Sequence, residues 1–159
     1  MREVFPNILI GTIDDYEGIK GNSDYFTVIA AKEPYHRKAV GYSGRSCGKD
    51  NPEYLYAERS GCLICNLVDV DNPDWISDII IDKIFADIDK SIKDGRQVLI
   101  CGNKGHSRSA CIGMMYMKRA GYFKGIGFDE AEMLYRKIYP PYEPARGIRE
   151  YARRNWDRF

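Results

Sequence analysis

The stretch QVLICGNKGHSRSACIGMMYM, residues 97–117, constrains the fold more than any other part of the chain. Val98–Cys101 is wholly apolar, the pattern of a strand buried on both faces of a parallel sheet. Gly102–Ser109 is short, polar and glycine-bearing, and a helical pattern then runs from Arg108 to Ala120 before Gly121 stops it. A buried strand that enters a tight loop and leaves as a helix belongs to alternating α/β architecture.

The remaining periodicities extend that pattern. Asn7–Gly11, Tyr25–Ala30 and Cys62–Val68 read as strands, with a polar turn-rich stretch, TIDDYEGIKGNSD, between the first two. From Ile76 to Lys93 the residues Ile79, Ile80, Ile84, Phe85, Ile88 and Ile92 recur at helical spacing, and Asp94-Gly95 ends the run. Two further helices are predicted, Phe128–Tyr139 before Pro140-Pro141 and Arg146–Trp156. Residues 32–61, rich in Gly, Pro, Tyr and charge, read as a long loop insertion. The expected fold is a single α/β domain over residues 1–159, a parallel-rich central sheet flanked by helices.

The loop after Cys101 suits a phosphate. Gly102 and Gly105 permit backbone angles that turn successive N–H groups inward. The helix that follows points its positive end at the same spot. Arg108 can offer two parallel donors to one phosphate, and Asn103, Lys104, His106 and Ser107 add donors or charge. In the insertion, Lys32, His36, Arg37 and Tyr42 place cations beside an aromatic ring, a pattern that can hold more phosphate and stack a base. Asp69 and Asp71, ahead of the loop, are carboxylates able to act as a proton donor or to bind a ligand hydroxyl or amine. Acidic residues before Asn-Pro also build turns, and the spacing does not choose between the two.

Composition narrows the partners. Net charge is +1 across 159 residues, which gives no global pull toward nucleic acid or anionic membrane. The basic residues of RGIREYARRNWDR alternate with acids as on a solvated helix face. The opening apolar run is too short for a signal peptide, and no stretch suits a membrane span, so a cytoplasmic protein is expected. Five cysteines without framework spacing fit a reducing compartment. The Cys62-Leu-Ile-Cys65 spacing lies in an apolar run and reads as core, with no metal or other cofactor called for.

The segment VLICGNKGHSRSA resembles the signature loop of the dual-specificity branch of the cysteine-dependent protein phosphatases, whose pattern is His-Cys-x5-Arg-Ser/Thr. It is most similar to compact phosphatase-like proteins of bacteria and their viruses. NLVDVDNPDWI resembles that group's acidic loop, AAKEPYHRKAVGYSG its insertion, and YPPYEPARGIREYARRNW its C-terminal end. The resemblance implies the phosphatase fold and assigns the acidic loop a general acid, Asp69 or Asp71. It also implies a thiolate that attacks phosphorus, five residues before the arginine. That position is Gly102, while Cys101 falls on the family's histidine.

Glycine cannot form a phosphoenzyme. A thiolate about 4 Å from a phosphate would repel it by about 4 kcal/mol per charge pair at an effective dielectric of about 20. Its loss therefore favours binding over chemistry. The expectation is a catalytically inactive phosphatase-fold protein that binds or sequesters a phosphate-bearing ligand, a nucleotide in preference to a phosphopeptide. The alternative is an active phosphoric monoester hydrolase using Cys101, Arg108 and one of Asp69 and Asp71.

Overall fold

The computed structural model describes residues 1–159. Its centre is a six-stranded sheet built from β1 (Arg2–Phe5), β2 (Ile8–Thr12), β3 (Tyr25–Ile29), β4 (Tyr56–Arg59), β5 (Cys62–Cys65) and β6 (Gln97–Gly102). The spatial order is β1-β2-β6-β3-β5-β4. The four inner strands are parallel, and β1 and β4 close the two edges antiparallel. Strand β6 lies between β2 and β3, with Gly102 beside Thr12 and Cys101 beside Ile29. The parallel-rich sheet read from the apolar runs is present.

Helices cover both faces. Helices α3 (Asp78–Lys93), α4 (Arg108–Arg119), α5 (Phe128–Ile138) and α6 (Arg146–Arg154) share the larger core with Val98 and Ile100 of β6. The shorter α1 (Ile13–Ile19) and α2 (Arg37–Val40) pack on the opposite face, over Leu99 and Cys101. This split follows from strand geometry, in which successive side chains point to opposite faces. On α3 the buried stripe is Ile80, Ile81, Ile84, Phe85 and Ile88, whereas Ile79 is 60% exposed. Met114, Met115 and Met117 of α4 are core residues, as are Cys62 and Cys65.

Three elements differ from the sequence reading. The polar stretch after β2 holds α1, begun by a reciprocal cap in which Thr12 Oγ1 accepts from the Asp15 amide and Asp15 accepts from the Thr12 amide. Strand β1 adds an edge that the sequence pattern did not show. The insertion is structured at both ends: Lys32–His36 forms a π-helical turn leading into α2, and β4 pairs with β5. Its tyrosines and charges read as loop because an edge strand and short helices bury few side chains.

Candidate functional site

The loop between β6 and α4 encloses a polar cavity of about 320 Å³, lined by Gly102–Ser109 together with Asp69 and Glu143. Its backbone is open to a ligand. From Asn103 through Ala110 no backbone N–H is hydrogen-bonded to another protein group, and the first paired amide is that of Cys111, which donates to Ser107 O at 2.8 Å. Three of those free amides belong to the first turn of α4, whose positive end faces the loop. A run of unpaired amides along one concave loop has the geometry that suits an anion.

The loop needs glycine at 105. Its φ is 73°, and a Cβ there would lie 2.9 Å from Gly11 O. Position 102 is different. Its backbone has no positive φ, and a Cβ would meet Ser109 Oγ at 3.6 Å and Ala30 O at 3.9 Å, ordinary contact distances. The space for a side chain at 102 is there without the side chain.

The shell around the loop comes from distant segments. Arg108 donates from Nη1 to Leu67 O at 2.8 Å, and no other protein acceptor takes its remaining donors. Burial lowers its pKa while Asp69 opposes that shift, so it stays a cation at neutral pH. Ser107 donates to Asp69 Oδ1 at 2.8 Å and accepts from the Ala145 amide at 2.8 Å. The segment joining α5 to α6 braces the outer wall: Tyr139 Oη donates to Gly105 O at 2.9 Å, and the Glu143 amide donates to His106 O at 2.9 Å. Behind it, Glu132 accepts from Tyr142 Oη at 2.7 Å and from Arg149 at 2.8 and 2.9 Å.

The cup thus gathers Gly102, Asn103, Lys104, Gly105, His106, Ser107 and Arg108, with Lys104 and His106 exposed at the rim. Of the two acidic candidates, Asp69 lines the cavity and Asp71 does not. The insertion residues do not join the cup either. His36 is fully buried; its Nε2 is 2.7 Å from Glu53 O and must donate there, so Nδ1 accepts from Tyr42 Oη at 2.9 Å. Burial pushes its pKa below the usual histidine value. Arg37 pairs with Glu33 and lies over the Tyr42 ring, 4.9 Å from its centroid. Lys32 donates to Arg45 O. His36, Arg37 and Tyr42 thus shape the insertion, through contacts invisible in residue type alone.

Cys101 is fully buried and lies on the α1–α2 face with Ile29, Ala31 and Leu99. It does not line the cup, and burial raises its thiol pKa well above the usual range. Its parity in β6 is opposite to that of Gly102, so the strand that ends at the cup turns this thiol away from it.

Beside the cup runs a second groove, about 820 Å³, lined by Lys32, Arg45, Lys49, Tyr54, Val68 and Trp75 among others. Val68 lines the groove and its neighbour Asp69 lines the cup, so the two adjoin along the chain. Trp75 is 69% exposed. Sequence reasoning placed Ser109 in the phosphate loop and Lys32 among ligand-binding residues of the insertion, but it missed the groove as such, Glu143 and the Tyr139–Ala145 brace.

No protein-family profile matches the chain, and no curated protein matches its sequence. Solved structures do match it. The human tyrosine phosphatase-like serine/threonine/tyrosine-interacting protein aligns over 99% of this chain and 95% of its own, with TM-score 0.63 and 18% identity. DUSP15 aligns over 98% and 86%, with TM-score 0.67 and 17% identity. Tk-PTP, solved in its active form, aligns over 99% and 97%, with TM-score 0.65 and 18% identity. At such identities the likeness carries the fold and leaves the chemistry to the residues. The chain has the fold of the dual-specificity phosphatases.

Proposed function

We propose that this chain is a phosphate receptor on a phosphatase fold: it binds a phosphate-bearing ligand through residues 102–109 and does not hydrolyse it. The observation that carries the proposal is the run of unpartnered amides from Asn103 to Ala110, closed by Arg108, with no nucleophile at position 102. Donors preset around an empty centre are what holds an oxyanion in place. Against turnover through Cys101 stand its burial on the other face of the sheet and its raised thiol pKa. A thiol held neutral there is a poor nucleophile.

A nucleotide-like ligand is favoured over a phosphopeptide. The adjoining groove sets Lys32, Arg45 and Lys49 beside Tyr54 and Trp75, cations for further phosphate and rings on which a base can stack. Such stacking is worth roughly 1–3 kcal/mol per base. Titration calorimetry with inorganic phosphate, mononucleotides, cyclic nucleotides and phosphotyrosine tests the reading. A nucleoside monophosphate should bind more tightly than phosphate alone, and phosphotyrosine less tightly than the nucleotide. Absence of heat with every one of these ligands would refute the proposal.

A further inference from the structure

Ser109 Oγ is the one polar side-chain atom of the cup that is buried and has no partner. The residue is 1% exposed, and its hydroxyl has no hydrogen bond within the protein. Burying a hydroxyl unpaired costs about 1–3 kcal/mol, so such an atom calls for a partner that the protein itself does not supply. The hydroxyl faces the recess at position 102, 3.6 Å from where a Cβ would stand. Ala30 O bounds the recess on the other side, 3.9 Å from that point. A carbonyl repels an anion and a hydroxyl donates to it, so an oxyanion entering the recess is drawn to the Ser109 side.

We infer that Ser109 is a ligand-binding residue: with no side chain at 102, one phosphoryl oxygen descends to the floor of the cup and accepts the Ser109 Oγ–H. This rests on the reading of the cup as a phosphate receptor and assigns the contact at its deepest point. The remaining oxygens of the group stay with the loop amides and Arg108. Glycine at 102 is then an adaptation for binding as well as a lost nucleophile, because any side chain there would displace the deepest oxygen.

The test is calorimetric titration of inorganic phosphate into the wild-type chain, Ser109→Ala, Gly102→Ala and the double variant, with melting temperatures measured without ligand. Ser109→Ala should weaken phosphate binding at least tenfold while leaving the ligand-free melting temperature unchanged or raised, since it breaks no bond of the free protein. Gly102→Ala fills the recess and should weaken binding to a similar degree. Because both remove the same contact, the double variant should bind within about twofold of Gly102→Ala alone. Ser109→Thr, which keeps the hydroxyl, should retain most of the affinity. Unchanged affinity in Ser109→Ala, or fully additive losses in the double variant, would overturn the assignment and leave the receptor reading standing. A wild-type chain that binds no phosphate would overturn both.

Discussion

Placing a cysteine at position 102 asks whether the cup grips more firmly for lacking a thiolate. The backbone accepts the change, since a Cβ meets nothing closer than Ser109 Oγ at 3.6 Å. The sulfur would sit among the free amides of residues 103–110 and beside Arg108, donors that stabilise the charged form and lower the thiol pKa below its ordinary value of about 8.5. Above that lowered pKa the variant carries a negative charge about 4 Å from a bound dianion, a repulsion of about 4 kcal/mol per charge pair at an effective dielectric of about 20. At about 1.4 kcal/mol per tenfold, each charge pair is nearly a thousandfold in affinity, so the loss for a dianion should be at least that large. Sulfate is the ligand of choice for the assay, because it stays a dianion across the range and only the protein titrates. The ratio of wild-type to Gly102→Cys affinity should rise as pH rises through the thiol pKa and, once the thiol is protonated, fall back to the smaller loss that any side chain at 102 causes. A ratio that does not change between about pH 5 and about pH 9 would refute the electrostatic argument.

Other perturbations follow from the same geometry. Arg108→Ala should lower phosphate affinity at least tenfold by calorimetry, since hydrogen bonds to charged groups contribute about 1.5–3 kcal/mol each, with a smaller effect on folding because only Leu67 O loses a partner. Gly105→Ala should destabilise the fold by roughly 1 kcal/mol or more on thermal melting, as its φ of 73° and the 2.9 Å approach to Gly11 O leave no relaxed place for a methyl group. Glu132→Ala should cost about 3 kcal/mol in urea unfolding, the lower end for a broken buried pair because Arg149 is partly exposed. Burial alone would raise the Glu132 pKa, but Arg149 and Tyr142 outweigh it and hold the carboxyl below its usual value. Stability from this group is therefore present above the unfolded glutamate pKa and lost as pH falls through the lower folded value. Unfolding of Glu132→Gln should show a shallower acid slope than wild type.

Much of this was legible in the sequence for identifiable reasons. Val98–Cys101 has the unbroken apolar pattern of a strand buried on both faces, and the glycines and the arginine of the GNKGHSRS loop are local features that residue type alone reveals. Edge elements were less legible. Strand β1 is short and charged, with Asn7 at φ 66° in the turn that follows it, and β4 is four residues long with two adjacent charges, Glu58 and Arg59. Helix α1 lay behind a cap in which Asp15 stands where glutamate or glutamine is the usual signal. What sequence could not yield was contact between distant segments: the Tyr139–Ala145 brace, the choice of Asp69 over Asp71, and the closure of His36 on Tyr42 and Glu53. That Cys101, ending an apolar strand, turns away from the loop was expected from the sequence, and it lies buried on the α1–α2 face.

Phosphorus NMR of an aryl phosphate monoester mixed with the wild-type chain puts capture and hydrolysis on one spectrum. The ester resonance should shift and broaden with added protein, reverse on competition with sulfate, and yield no growing signal of inorganic phosphate. An inorganic phosphate signal that grows with time and vanishes in Cys101→Ser, or an ester resonance indifferent to the protein, would contradict the account.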